Sequence, residues 1–104
     1  MTPLALLLSL AIDGDTFKID GHRIRLFGID APERSEIGGT AATLALQGLL
    51  DRGVTCQAVD VDRYGRTVAI CFLDDGTDIA CALVAMGHAD DWPRYSGGRY
   101  GGCR

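Results

Sequence analysis

Residues 11–33 read AIDGDTFKIDGHRIRLFGIDAPE, and the interpretation of this stretch decides the fold. It holds four aspartates and one glutamate around an apolar set of Ile, Phe and Leu, with two arginines inside RIRLFGI. Strands tolerate Asp poorly, and charged side chains are seldom buried without a partner. Asp20-Gly21 between two apolar runs is nevertheless a strong hairpin signal. The stretch therefore predicts two strands, 16–20 and 22–29, joined tightly, with Pro32 ending regular pairing.

A plain hairpin has no use for so many carboxylates. Asp13 and Asp15 stand two residues apart, on one side of an extended chain. Asp30 arrives from the end of a different strand, and the Ala31 carbonyl follows it. Hard cations such as Ca²⁺ take several carboxylate and carbonyl oxygens from turns. An isolated Asp-Gly-Asp also suits a solvated turn, and the spacing does not follow the helix-loop-helix calcium pattern. Arg25 is expected on the strand face of Phe27 and Ile29. There it either pairs with an aspartate for structure or aims a two-pronged donor at a phosphate. Arg66, just after the Tyr64-Gly65 turn, is a candidate for a second such donor.

Further along the chain, 40–53 predicts a helix with Thr40 as N-cap, an apolar side of Leu44, Leu46, Leu49 and Leu50, and a stop at Gly53. Residues 54–61 and 66–73 predict two strands about the turn DRYG. Asp78 is placed to cap a helix starting at Ile79, with Ile79, Leu83 and Met86 together and a stop at Gly87. HADDWPRYSGGRYGGCR has no periodicity and reads as loop, with nothing expected to pack after Tyr95. Strands, helix, strands, helix with short antiparallel connections give an α+β class. Five short strands with an intervening helix suit a small five-stranded OB-fold-type barrel with two or so helices.

The whole chain sets outer limits. Its 104 residues fit one domain. A net charge of −4 argues against a partner held by bulk charge, although the arginines cluster locally. None of the four cysteines lies in zinc-finger spacing. If 54–61 and 66–73 pair as a hairpin with Cys56 opposite Cys71, Ala58 faces Ala69 and Asp60 faces Thr67. Cys56 and Cys71 can then form a disulfide or remain two buried thiols; Cys81 with Cys103 is a second candidate pair. Disulfides imply an oxidising compartment, so a secreted or periplasmic location is expected rather than a cytoplasmic one.

The start, MTPLALLLSLA, is too short to span a bilayer. It has the length of a signal-peptide core, and Ser9-Leu10-Ala11 resembles a cleavage site, but no Lys or Arg precedes it. Alternatively, 4–12 forms the first strand. No stable membrane association is expected, and a monomer is.

Taken in order, IDGDT, RIRLFGIDAPE, DRYGRTVA and DIACALVAMGHA resemble the staphylococcal nuclease-like (thermonuclease) family over about residues 11–95. The resemblance implies a domain over 12–95, preceded by a leader or first strand (1–11) and followed by a Gly-rich tail (96–104). It implies an OB-fold barrel and Ca²⁺-dependent hydrolysis of phosphodiester bonds in DNA and RNA. By position, Asp15, Asp30 and the Ala31 carbonyl match the family's calcium ligands, and Asp13 an acidic residue near the ion. Arg25 and Arg66 match its catalytic arginines, and Glu33 the glutamate that acts on water. Arg63, Tyr64 and Tyr95 match positions lining the nucleotide pocket.

The chain departs from the best-known member at Ala31, where that member has Thr, and at Pro93, where it has a pocket tyrosine. The C-terminal helix usual in the family is also expected to be missing after GGCR. Two other readings stand beside the nuclease: a non-catalytic OB-type module binding nucleic acid or protein, and a truncated, inactive nuclease.

Overall fold

The computed structural model describes residues 8–104. Asp20 and Gly21 adopt left-handed φ values of 50° and 79°, the conformation a tight two-residue hairpin needs. They join β2 (Thr16–Ile19) to β3 (His22–Leu26), with Phe17 opposite Ile24 and Thr16 opposite Arg25. β1 (Ser9–Asp13) pairs antiparallel with β2 and places Ala11 opposite Phe17. Residues 4–7 of the expected first strand, and the start of the expected leader, lie outside the described residues.

The expected strand 22–29 is divided. Gly28 turns the chain with φ 77°, and a two-residue strand, β4 (Ile29–Asp30), leaves in a new direction. It pairs with β7 (Asp90–Asp91), so Asp30 lies opposite Asp90.

Helix α1 (Gly39–Leu50) begins at Gly38, itself left-handed, without a side-chain cap; Thr40 does not cap it. Its start is set by packing. A Cβ on Gly39 would collide with the Glu33 carbonyl, so the loop carrying Glu33 lies directly on the helix end. Leu46 and Leu50 enter the core, whereas Leu44 is exposed. The Gln47 amide donates to the Ser9 carbonyl (2.9 Å) and accepts from the Ala11 N–H (2.8 Å). In this way α1 occupies the outer edge of β1, where backbone groups would otherwise be unpaired.

β5 (Thr55–Val61) and β6 (Thr67–Phe72) form the second hairpin. Cys56 faces Cys71 and Ala58 faces Ala69, and Cys56 and Cys71 are disulfide-bonded. A register shift between Ala58 and Asp60 then sets Asp60 opposite Val68, not opposite Thr67. β6 pairs parallel with β3, because α1 and β5 intervene as a crossover. The resulting order is β1-β2-β3-β6-β5, an α+β, OB-type arrangement.

Asp78 caps α2 (Ile79–Ala85) by accepting from the Ala80 N–H at 3.0 Å. Ile79, Ala80, Leu83 and Val84 face the core, and Met86 is exposed. The glycine-rich end is not a free loop. It contains the one-turn helix α3 (Pro93–Ser96), places Tyr100 in the core at 1 % exposure, and bonds Cys103 to Cys81. Its order comes from these tertiary contacts, which no local periodicity announces.

Candidate active site

The hairpin brings Asp15, at the head of β2, beside Arg25 on β3. The two form an ion pair of 3.4 Å, with side chains only 10 % and 13 % exposed. Asp15 is the hub of the site. Its Oδ2 also accepts the Ala31 N–H at 2.8 Å, and its Oδ1 accepts the Thr16 hydroxyl at 3.0 Å. Thr16 Oγ1 in turn lies 3.5 Å from Arg66 Nη1. Thr16 on β2, Arg25 on β3 and Arg66 just before β6 therefore come together. The β2–β3 register opposes Thr16 to Arg25, and the parallel β3–β6 register sets Ile24 beside Thr67.

Burial raises the Asp15 carboxyl above the usual carboxylate range. The Arg25 charge, the Ala31 N–H and the Thr16 hydroxyl pull it back, while nearby Asp30 adds to the rise.

Arg66 is held by a residue the sequence reading passed over. Asp62 accepts the Arg66 N–H at 2.9 Å and its Nε–H at 2.6 Å. Burial pushes the Asp62 carboxyl up, but the hydrogen bonds from Arg66 and Tyr64 outweigh it and hold the group below its ordinary range. The signal was present: Asp62 and Arg66 stand at the two ends of DRYGR.

Two depressions flank Asp15. One is a groove of ≈ 630 Å³ whose lining includes Arg25, Arg63, Tyr64, Arg66, Trp92 and Tyr95. Tyr64 is faced by Arg63 and Arg66, with guanidinium carbons 5.0 and 5.5 Å from its ring centroid. Trp92, also missed in the sequence, meets Tyr95 edge-on at 4.5 Å and lies 6.0 Å from the Arg25 guanidinium. The other depression, of ≈ 710 Å³, is lined by Asp30, Ala31, Glu33, Glu36 and His88 among others.

Glu33 is exposed, and its carboxylate has no ion-pair partner among the described residues. Its loop is fixed by the Glu33 N–H donating to Glu36 Oε1 (2.7 Å) and by the Arg34 N–H donating to Asp13 Oδ1 (2.9 Å). Asp13 thus braces the Glu33 loop. Asp30, Ala31 and Glu33 share one depression, the arginines and aromatic rings share the other, and Asp15 links the two.

No group of three or more His, Cys, Asp or Glu side chains gathers as a metal site among the described residues. A cation would have Asp15, Asp30 and the Ala31 carbonyl from the protein and would complete its shell with water or phosphate oxygens, which hard cations accept. The oxygen-only chemistry of this donor set fits a hard cation. Gly14 supports its compactness: a Cβ there would lie 2.9 Å from the Ala31 Cβ and 2.7 Å from the Ala42 Cβ.

An OB-type domain with an arginine-lined groove beside Asp15 and Asp30 suits a phosphate-bearing ligand. Residues 23–99 match the family model described as staphylococcal nuclease homologue, and the chain belongs to that family. Asp13 and Asp15 precede the matched region. The succinoglycan biosynthesis protein ExoI of Rhizobium meliloti (strain 1021) is 37 % identical over 92 residues, covering 77 % of this chain and 48 % of its own length. An uncharacterized endonuclease of Escherichia coli O157:H7 is 32 % identical over 90 residues, covering 82 % of this chain and 59 % of its own. Protein ParB of Escherichia coli is 40 % identical over 68 residues, covering 61 % and 38 %. The chain therefore spans about half the length of these relatives. Among the described residues no helix is long and apolar enough to cross a membrane.

Proposed function

We propose that this domain hydrolyses phosphodiester bonds of nucleic acid, with Ca²⁺ held at Asp15, Asp30 and the Ala31 carbonyl. The observation that carries the reading is the buried Asp15 tying Arg25, Thr16 and Ala31 into one unit, with Arg66 reached through Thr16. Arginines held this firmly present fixed charge and directed donors to a phosphate. The family match and a relative named as an endonuclease support the same reaction class.

Water is a poor nucleophile, and a phosphodiester is already anionic. Glu33, open to solvent, accepts the proton of the attacking water, a step worth about 10²–10⁴-fold in rate. Arg25 and Arg66 stabilise the negative charge that grows on the phosphoryl oxygens as the new P–O bond forms. The bond to the leaving oxygen then breaks, and that oxygen takes a proton from solvent. A bound Ca²⁺ supplies Lewis acidity at the phosphoryl oxygen. Arg63, Tyr64, Trp92 and Tyr95 offer charge and ring faces to a single strand, whose bases can stack there.

A second reading, a non-catalytic binding module, is favoured by the small protein ligand set and the aromatic groove. Incubation of the full chain with a labelled single-stranded oligonucleotide, in Ca²⁺ and in EDTA, separates the two. Cleavage in Ca²⁺ that EDTA stops, and that Glu33→Gln lowers, supports hydrolysis. Equal binding in both buffers with no cleavage supports the module.

A further inference from the structure

The groove has a wall that does not belong to the sheet. Residues 92–103 run from Trp92 through α3 to Cys103, with no ladder pairing after Asp91. The segment is held instead by tertiary contacts, Ser96 with Asp91 and Arg99 with Asp78 among them. The Trp92 N–H donates to the Gly28 carbonyl at 2.8 Å. Ser96 and Tyr100 close on Gly28 so tightly that a Cβ there would lie 2.7 Å from the Ser96 Cβ. The Tyr100 hydroxyl donates to Asp78 Oδ2 at 2.9 Å. Finally, Cys103 is disulfide-bonded to Cys81 on α2, closing 22 residues of chain.

The two disulfides differ in what else holds their partners. Cys56 and Cys71 face each other inside a ladder that extends on both sides of them, so the strands remain paired without the bond. Cys71 is fully buried and Cys56 partly so. Cys81 and Cys103 are both only partly buried, and their bond joins a helix to a segment with no ladder of its own. The Cys81–Cys103 bond is thus the covalent restraint on the segment that carries the groove wall.

We infer that the Cys81–Cys103 disulfide is a redox latch that sets the Trp92–Tyr95 wall against Arg25, and so controls nucleic-acid binding in the groove. The part concerning nucleic acid rests on the function proposed above; the coupling of disulfide to wall does not. A dithiol reductant opens the latch by exchange. One of its thiolates attacks a sulfur of the pair and forms a mixed disulfide, and its second thiol then displaces the protein sulfur. The protein gains two thiols and the reductant becomes a disulfide, so two electrons and two protons pass to the protein. A disulfide oxidant restores the bond by the reverse exchange.

Trp92 is the sole tryptophan of the chain and reports on the wall directly. The test compares wild type, before and after graded dithiothreitol, with the Cys81→Ala/Cys103→Ala variant, with alkylation and peptide mass mapping to identify the bond opened. At the reductant level that opens Cys81–Cys103 alone, Trp92 emission should shift to the red and acrylamide quenching should rise. The circular dichroism of the sheet should not change. The double variant should show the shifted emission without reductant and respond to it no further. Binding of a single-stranded oligonucleotide should weaken about tenfold, the order of one lost base–aromatic stack.

The latch is overturned if opening Cys81–Cys103 leaves Trp92 emission and quenching unchanged, or if wild type and double variant respond equally to reductant. If the double variant does not fold, the selectively reduced wild type decides alone. Absence of cleavage with an intact Trp92 response removes the hydrolytic reading and leaves the latch standing. Cleavage with a silent Trp92 does the reverse.

Discussion

The two sides of the groove are built by different means. On one side, Arg25 stands on β3 and Arg66 immediately before β6, and the β3–β6 pairing sets their spacing. On the other, Trp92 and Tyr95 stand on an irregular segment fixed by a disulfide, a buried tyrosine and a close approach at Gly28. A ladder distributes its restraint over many hydrogen bonds, so one substitution seldom dissolves it. A cross-linked wall depends on a few contacts. Reaction chemistry is assigned here to the first side and the Glu33 loop, and adjustable binding to the second.

The largest effects should come from the ladder side and the Glu33 loop. Arg25→Ala should lower the cleavage rate by about 10²–10³-fold, the scale of losing one donor to developing charge. Its melt should stay cooperative, although Asp15 then lies buried without its ion partner. Glu33→Gln should lower the rate by about 10²–10⁴-fold with almost no change in melting temperature, because Glu33 is exposed. A Glu33→Gln enzyme as fast as wild type would remove Glu33 from the chemistry.

A structural loss should come next, from the wall. Tyr100→Ala empties a core position and should destabilise by roughly 3–5 kcal/mol. Tyr100→Phe should cost only about 1 kcal/mol, the scale of its hydrogen bond to Asp78. Thermal or urea unfolding measures both. Equal losses would show that the hydroxyl, and not the ring, anchors the wall.

Gly39→Ala sharpens the comparison from a third direction, since it pushes on the Glu33 carbonyl without touching either side of the groove. Overpacking of this kind costs about 1–3 kcal/mol. It should displace the Glu33 loop, so cleavage falls while oligonucleotide binding holds.

The smallest effect is a pH dependence. Asp62 has its folded pKa held below the unfolded value. Its stabilisation is therefore fully present above the unfolded value, near 3.8, and is lost as pH falls through the lower folded pKa. Asp62→Asn should flatten the acid limb of a melting-temperature profile in that window and leave the profile above it parallel to wild type. An unchanged acid limb would show that Arg66 is positioned without the Asp62 charge.

Legibility from sequence followed the same division. The Asp20-Gly21 hairpin, the Asp78 cap and the opposition of Cys56 and Cys71 are local or near-local relations, and simple residue patterns announce them. Asp15, Arg25 and Asp30 also fall close together in sequence, but their pattern alone suits a solvated turn and a structural ion pair equally, and the family resemblance supplied their proposed roles. The misses were tertiary. α1 begins at Gly38 rather than Thr40 because Glu33 packs on Gly39. Residues 22–29 break at Gly28 because β4 leaves to pair with β7. Tyr100 sits among Gly residues that suggest a free end, and only contacts with Asp78, Gly28 and the core show that it is an anchor.

The most direct test of the central claim is single-turnover cleavage of a labelled single-stranded oligonucleotide by oxidised wild type and Arg25→Ala, each with a parallel melt. The account predicts that wild type cuts in Ca²⁺ and stops in EDTA, while a folded Arg25→Ala is slower by at least about 10²-fold. Cooperatively folded wild type that cuts at no Ca²⁺ concentration, or an Arg25→Ala variant that cuts as fast as wild type, would contradict it.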